Sequence, residues 1–338
     1  MKSAFVALLL GRALLVLTVA SSALPPPAVT IKVDKDHIDF LIGKDVVTTY
    51  QIKDSLPRPF FYPVKTVDGI EATRAWPMGK ALPGEKTDHV HHRSVWFCYG
   101  DIIPEGLDIK NKPKGVEGVD FWSEGKYHGN IICTKVGEPT LGPDQAWITT
   151  QNEWRDAEGR KILDETRKIG FFNHGKAYFI VLDIDLFASV YPLTFGDTKE
   201  GAMAIRIHPD INVKPGKGKI ENAEGKINEK ECWGHKSMWC DYSGPIGDKV
   251  VGVTIFDDPR NRFAACWHAR DYGLMAANPF GRAASGFPDA KSEAQRVRLA
   301  KGEHLYLRYG VLVHSGDARE AGVADLWKAF TRIPRSDK

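Results

Sequence analysis

The sequence predicts an all-β fold, a large antiparallel sandwich or barrel finished by a short C-terminal helix. Three observations carry this. Apolar and polar residues alternate with period two along much of the chain from Val29 onward. Turn residues recur at roughly ten-residue intervals, the spacing of short strands in all-β domains. No βαβ alternation, Gly-rich phosphate loop or dinucleotide fingerprint interrupts the pattern.

The elements follow in order. Lys2, the apolar run Ala4 to Ala20 and the small residues Ser21-Ser22-Ala23 read as an export signal over 1–23, although Arg12 breaks the run. Pro25-Pro26-Pro27 makes 24–28 a stiff linker, and 29–338 is expected to be a single β domain. Thr30 to Asp34 and His37 to Leu41 alternate. A Gly-Lys-Asp turn then leads to a strand from Val46 to Gln51. Pro57, Pro59 and Pro63 fall among Phe60, Phe61 and Tyr62, which suggests an irregular edge strand. Residues 76–89 and 100–118 are rich in Gly, Pro and charge and read as long loops. Strands are expected at 130–136, 145–154, 161–172, 177–188, 202–208, 250–256, 263–268 and 304–313. Asp156-Ala157-Glu158-Gly159 and Asn173-His174-Gly175-Lys176 are hairpin turns. At the end, Asp317 and Glu320 form a capping-box-like pair, and Val323, Leu326, Trp327 and Phe330 repeat at helical spacing.

Composition narrows the function. Removing 1–23 takes away Lys2 and Arg12 and no acid, so the formal charge falls from +3 to +1. A chain so near neutrality does not point to nucleic acid or an anionic membrane as its partner. No later stretch is long enough to span a bilayer, so no stable membrane insertion of the mature chain is expected. The five cysteines contain no CxxC and are read as mostly reduced and buried, with Cys232–Cys240 the one pair worth testing as a bridge.

The densest chemistry is Asp88-His89-Val90-His91-His92-Arg93-Ser94-Val95-Trp96. Read as a strand, it puts His89, His91 and Arg93 on one face. Neutral imidazoles move protons or bind metals near neutral pH, and a guanidinium clamps an anion or sugar hydroxyls. Asp101 and Gly118-Val119-Asp120-Phe121-Trp122 follow closely, adding two carboxylates and a second indole. A second cluster runs from Asp197 and Glu200 to Arg206 and His208. A third holds Trp239 and Asp241. The fourth holds His268, Arg270 and Asn278. A single tryptophan or histidine in a strand is usually a packed core residue; four clusters of one chemical character are harder to explain by packing. The absence of a Gly-X-Ser-X-Gly elbow argues against a serine hydrolase.

These blocks resemble a family of exported bacterial proteins that carries the name methane oxygenase PmoA. The resemblance rests on His89 to Ser94 with Trp96, Gly118 to Trp122, Gly196 to Gly201, Trp239 to Tyr242, Trp267 to Arg270 and Asn278 to Gly281. Methane oxidation is rejected, because a membrane monooxygenase needs several spanning helices. A looser resemblance is to the galactose mutarotase-like supersandwich, through the order of His91-His92-Arg93, His208-Pro209 and Lys301-Gly302-Glu303. It implies a large antiparallel β-sandwich and a sugar as the substrate class.

The expectation is therefore an exported protein, periplasmic or secreted, that processes a sugar or oxidised sugar by His-based acid/base chemistry of the epimerase, lyase or hydrolase type. Its partner would be a small-molecule or oligosaccharide substrate. His91, His92, Arg93, Asp120 and His268 are the catalytic candidates. Trp96, Asp101, Trp122, Asp197, Glu200, Arg206, Trp239, Asp241, Arg270 and Asn278 are the substrate-binding candidates. One alternative is a divalent metal held by the same histidines, with His89, His91 and His208 as the ligand set. Another is a carbohydrate-binding module without turnover.

Overall fold

The computed structural model describes residues 28–335 apart from Gly84 and Pro143. The expected signal segment and most of the Pro-rich linker lie outside the described residues. The fold is an antiparallel β-sandwich. One sheet runs, in spatial order, Val29–Val33, His37–Ile42, Asp45–Gln51, Phe60–Val64, Val95–Tyr99, Gly201–Arg206, Leu274–Asn278 and Cys266–Arg270. The other runs Lys219–Asn222, Trp239–Ile246, Lys249–Asp257, His304–Ser315, Ala177–Phe187, Lys161–Asn173, Gln145–Arg155 and Asn130–Val136, with Thr140–Leu141 beside Gln145–Arg155. A small third sheet joins Arg298–Leu299, Leu193–Phe195 and Ile102–Pro104. No helix among the described residues is long and apolar enough to cross a membrane.

Period two decides which residues face the core. In Gln145–Arg155, Ala146, Ile148, Thr150, Asn152 and Trp154 are buried and their neighbours less so. From the first sheet, Phe97 points inward and meets Trp154 and Tyr309 of the second, with ring centres 6.1 and 6.3 Å apart. Its neighbours Trp96 and Cys98 therefore face the opposite way, and the candidate site lies on that outer face.

The strand Phe60–Val64 is not at an edge. It pairs with Asp45–Gln51 on one side and Val95–Tyr99 on the other. Its prolines are tolerated because only Phe60 and Phe61 pair with Val95–Tyr99, while the register on the other side jumps from Phe61 to Val64. Pro63 thus falls in a bulge, where no ladder bond is lost. The C-terminal helix is Val323–Arg332. Glu320 N–H donates to Asp317 and Asp317 N–H to Glu320, so the reciprocal pair closes the turn before the helix. All five cysteines are free, Cys232 and Cys240 included.

A buried ionic group fastens the two sheets together. Arg167 donates to Glu165 at 2.5 and 3.0 Å and to the Tyr50 hydroxyl at 2.7 Å, and Trp154 Nε1 donates to Glu165 at 2.7 Å. The guanidinium lies 5.4 Å from the centre of the Phe97 ring. Removing one member of such a pair leaves a buried charge uncompensated. Glu165→Leu should therefore lower stability by about 3–5 kcal/mol in urea titration, whereas a loss below ~1 kcal/mol would show that the pair is dispensable.

Candidate functional site

The segment His89 to Arg93 is a turn, and the strand starts at Val95. His89 has φ 45° and Ser94 φ 53°, conformations that bend the chain rather than extend it. The side chains consequently do not alternate: His89, His91 and His92 all converge. One nitrogen from each lies within 4.8 Å of the others. The rings of His89 and His92 stack at 4.7 Å, and His91 sits edge-on to both. The stack continues through Tyr272 on the His89 side and Trp96 on the His92 side. Trp122 packs against His92 and Trp96.

Two buried arginines hold this turn. Arg58 donates to the carbonyls of His91, Phe121, Trp122 and Ser123. Arg74 donates to those of Trp76, Asp88, His89 and His92. Neither residue was singled out in the sequence. The available signal was a charge set among apolar or aromatic neighbours, Arg58 before Pro59-Phe60-Phe61 and Arg74 before Ala75-Trp76, which requires a buried partner.

Arg206 Nη1 lies 3.0 Å from His92 Nδ1. A guanidinium only donates, so Nδ1 accepts and the neutral ring carries its proton on Nε2. His268 Nδ1 lies 3.0 Å from the Lys199 carbonyl, which only accepts. Its lone pair is therefore on Nε2. The two imidazoles are fixed in opposite tautomers. Burial drives all four histidines toward the neutral form: it pushes His91 down to about 3 and His268 to about 4. His92 is held well below the usual range and His89 is lowered. The Arg58 charge adds to the effect at His91, and the His91 and Arg206 charges at His92. The carboxylate of Glu200 opposes it at His89, His91 and His268 at once.

Strand register relates the two halves. Trp96, Ala204, Ala276 and His268 lie opposite one another across four neighbouring strands, hence on one face and about 14 Å from end to end. Arg206 and Arg270 occupy the next row of that face, both opposite Leu274. Beside Arg206 and Tyr272 opens a cavity of about 430 Å³. Arg74, Arg206 and Tyr272 line it.

The remaining candidates sit as follows. Arg93 makes a two-pronged ion pair with Glu124, 2.8 Å on each arm. Asp120 accepts from the backbone of Trp122 and Ser123 and lies 3.5 Å from His128. Asp101 accepts from Gly118 and Glu117, and Asp197 from Arg282, Ala284 and Ser285. Asn278 accepts from Phe280 and Gly281 and donates to Thr198. These carboxylates and this amide fasten loops around the site. Arg270 pairs with Glu229 and lies over Tyr272. Trp239 and Asp241 belong to the other sheet, where Asp241 is fully buried against His314 and Thr254. His208 accepts from the Asp210 backbone and stands outside the group of three, in which His92 joins His89 and His91.

Residues 37–328 match the model of a family described as a family of unknown function, DUF6807. The chain belongs to that family. No curated protein matches it in sequence. Among solved structures it is similar to the GH36 α-galactosidase AgaA from Geobacillus stearothermophilus, with TM-score 0.41 and 10% identity over 86% of this chain and 40% of that one. It is also similar to galactose 1-epimerase from Lactobacillus acidophilus NCFM, with TM-score 0.37 and 7% identity over 85% and 98% of the two chains. A galactose mutarotase related enzyme from Lactobacillus acidophilus gives TM-score 0.30 and 8% identity over 85% and 97%. This chain spans about two fifths of the length of the α-galactosidase it matches.

The lowered histidines make stability depend on pH. Below about 6.5 the unfolded imidazoles take up protons that the native ones refuse, so the unfolded state gains. Stability should be fully present above pH ~6.5 and fall as pH drops toward the folded value near 4 of His268. Imidazole NMR signals of His268 should stay unshifted between pH 8 and 5.5; a titration midpoint near 6.5 would show that the ring is not held neutral.

Proposed function

We propose that this DUF6807 chain is an exported enzyme that processes a sugar or oxidised sugar through neutral histidines on the outer face of the first sheet. The observation that carries the reading is the pair of tautomers. His92 offers an Nε2 proton and His268 an Nε2 lone pair, so one face holds a fixed proton donor and a fixed acceptor. The ring nitrogens of His89 and His91 make no hydrogen bond with protein among the described residues, which leaves them for substrate or proton. In this reading His91 or His268 takes a hydroxyl proton, and Glu200 steadies the imidazolium that forms. Such a site suits epimerase, lyase or hydrolase chemistry. The signal-like segment over 1–23 and the resemblance to the exported PmoA-named proteins support a periplasmic or secreted setting.

The second reading is a divalent metal, favoured by the 4.8 Å grouping of His89, His91 and His92. Neutral imidazoles are suitable ligands. Two features resist it. His89 and His92 are stacked, and parallel rings cannot both aim lone pairs at one ion. Arg206 already occupies His92 Nδ1. A bound ion would require His89, which is exposed, to leave its stack.

Purified protein should convert at least one member of a panel of neutral and oxidised glycans. His91→Ala and His268→Gln should each lower kcat/KM by about 100-fold or more, with His91→Ala melting close to the parent. Full activity in both variants would remove the histidines from the mechanism. Metal analysis of untagged protein separates the two readings. A stoichiometric ion lost in His89→Ala supports the metal, and turnover unaffected by chelator supports acid/base chemistry alone.

A further inference from the structure

The cavity beside the imidazole stack is far more basic than the chain as a whole, which has 46 basic and 43 acidic residues. Arg74, Lys86, Arg206, Lys214 and Lys217 line it. Of its two acidic lining residues, Glu85 accepts from the backbone of Leu82 and Trp76 and sits 4.0 Å from Arg74, so that pair is internally satisfied. Of the other four cations, Arg206 shares the exposed Asp88 carboxylate with Arg74, at 3.5 and 3.4 Å, and the second acidic lining residue, Asp210, is itself 3.9 Å from His208. Lys214 approaches Asp271 at 3.0 Å, but with its side chain 80% exposed the pair is weak and easily exchanged.

The two arginines are buried and held in place, whereas Lys86, Lys214 and Lys217 are exposed. Arg206 is anchored through Nη1 to His92 and lies 4.7 Å over the Tyr272 ring, with no acceptor for its Nε hydrogen among the described residues. The loop that carries the two lysines is tied at three points. Lys214 N–H donates to Asp271, Lys217 N–H to Asp210 and Gly218 N–H to Asn212. A Cβ at Gly218 would stand 1.7 Å from the Ile211 carbonyl oxygen, so only glycine lets the loop lie this close. A second cavity, of about 500 Å³, shares Lys86, Lys214 and Tyr272 with the first and adds Lys230 together with Glu229 and Asp271, which are paired with Arg270 and Lys214. Both volumes fall in the ~300–1,000 Å³ range of small-molecule sites.

We propose that these joined cavities form an oxyanion subsite and that the substrate is an acidic oligosaccharide carrying carboxylate or sulfate groups. The inference deepens the sugar-processing reading and rests on it for the word saccharide. The cations supply the recognition. Arg206 offers an oxyanion its Nε hydrogen on the side away from His92, its Nη2 lying 3.5 Å from exposed Asp88, and the lysines add point charges along the path. An acidic substrate bound there lies against Tyr272 and hence beside His89, the exposed end of the imidazole stack.

Calorimetric titration of the full chain tests this with matched probes: trigalacturonate against its methyl ester, and a sulfated trisaccharide against its desulfated form. Each acidic probe that binds should do so at least tenfold tighter than its neutral counterpart, and the tighter acid identifies the oxyanion. The double variant Lys214→Glu/Lys217→Glu should cost the acidic probe tenfold or more and spare the neutral one. Added salt should weaken wild-type binding of the acid in the same direction, independently of any variant. Equal affinity for the acidic and neutral forms, or acid binding untouched by both charge reversal and salt, overturns the proposal. The readout is binding, so loss of turnover in the histidine variants bears on the catalytic reading only. Acid preference that persists in a chain turning over no glycan would defeat that reading and leave the oxyanion subsite standing as a binding site alone.

Discussion

The site depends on one constraint: two buried guanidiniums fix the backbone of a turn that has no regular structure of its own. Arg58 and Arg74 between them take eight carbonyls, three of which belong to His89, His91 and His92. A turn satisfied by strand pairing would have been extended, with its side chains sent to alternate faces. Satisfied by arginines, it can bend at His89 and Ser94 and bring three imidazoles together. Burial without an acceptor for each N–H would be costly for either arginine, so the turn and the guanidiniums stabilise each other. Arg58 also reaches Trp122 and Ser123, which ties the second indole to the same anchor.

The sandwich supplies the rest by register alone. Four strands far apart in sequence become neighbours, and the pleat sends Trp96, Ala204, Ala276 and His268 to the outer face. Alanine at the two middle positions keeps that floor low, so the taller groups at either end and Glu200 shape what lies above it. Phe97, one residue from Trp96, points into the core and rests near the Glu165–Arg167 pair. The outer face is therefore positioned by an inner face that is unusually well bonded.

Much of the fold was legible in the sequence because period two is a local signal. The long hairpin strands near 145–154, 161–172 and 177–188 were placed within a residue of Gln145–Arg155, Lys161–Asn173 and Ala177–Phe187. The sequence failed where tertiary bonding overrode that signal. His89 to Arg93 alternates well enough to pass for a strand, and only distant Arg58 and Arg74 make it a turn. Pro63 looked like an edge marker, yet a bulge admits it to the sheet interior. Asp101, Asp120 and Asp197 have the composition of a sugar site, but their oxygens bind backbone N–H groups of nearby or distant loops. Nothing in a single sequence tells a carboxylate that meets a ligand from one that meets a loop.

The charge balance around the imidazoles links the two halves of the functional reading. Burial does most to keep the rings neutral; Arg206 and Arg74 add to it, against Asp88 at His89, and both also line the cavity, where they favour an anion. A metal ion in that field would be repelled unless an anion arrived with it. An acidic substrate would bring that anion, and would also raise the proton affinity of His89 and His91 as it bound, because a negative charge placed near an imidazole favours its protonated form. Substrate binding would then shift the rings from the neutral form that burial favours toward the acceptance of protons that acid/base chemistry needs. Neutral sugars offer no such coupling. On this argument recognition and proton transfer are two consequences of one electrostatic arrangement, set by Arg206 between the stack and the cleft.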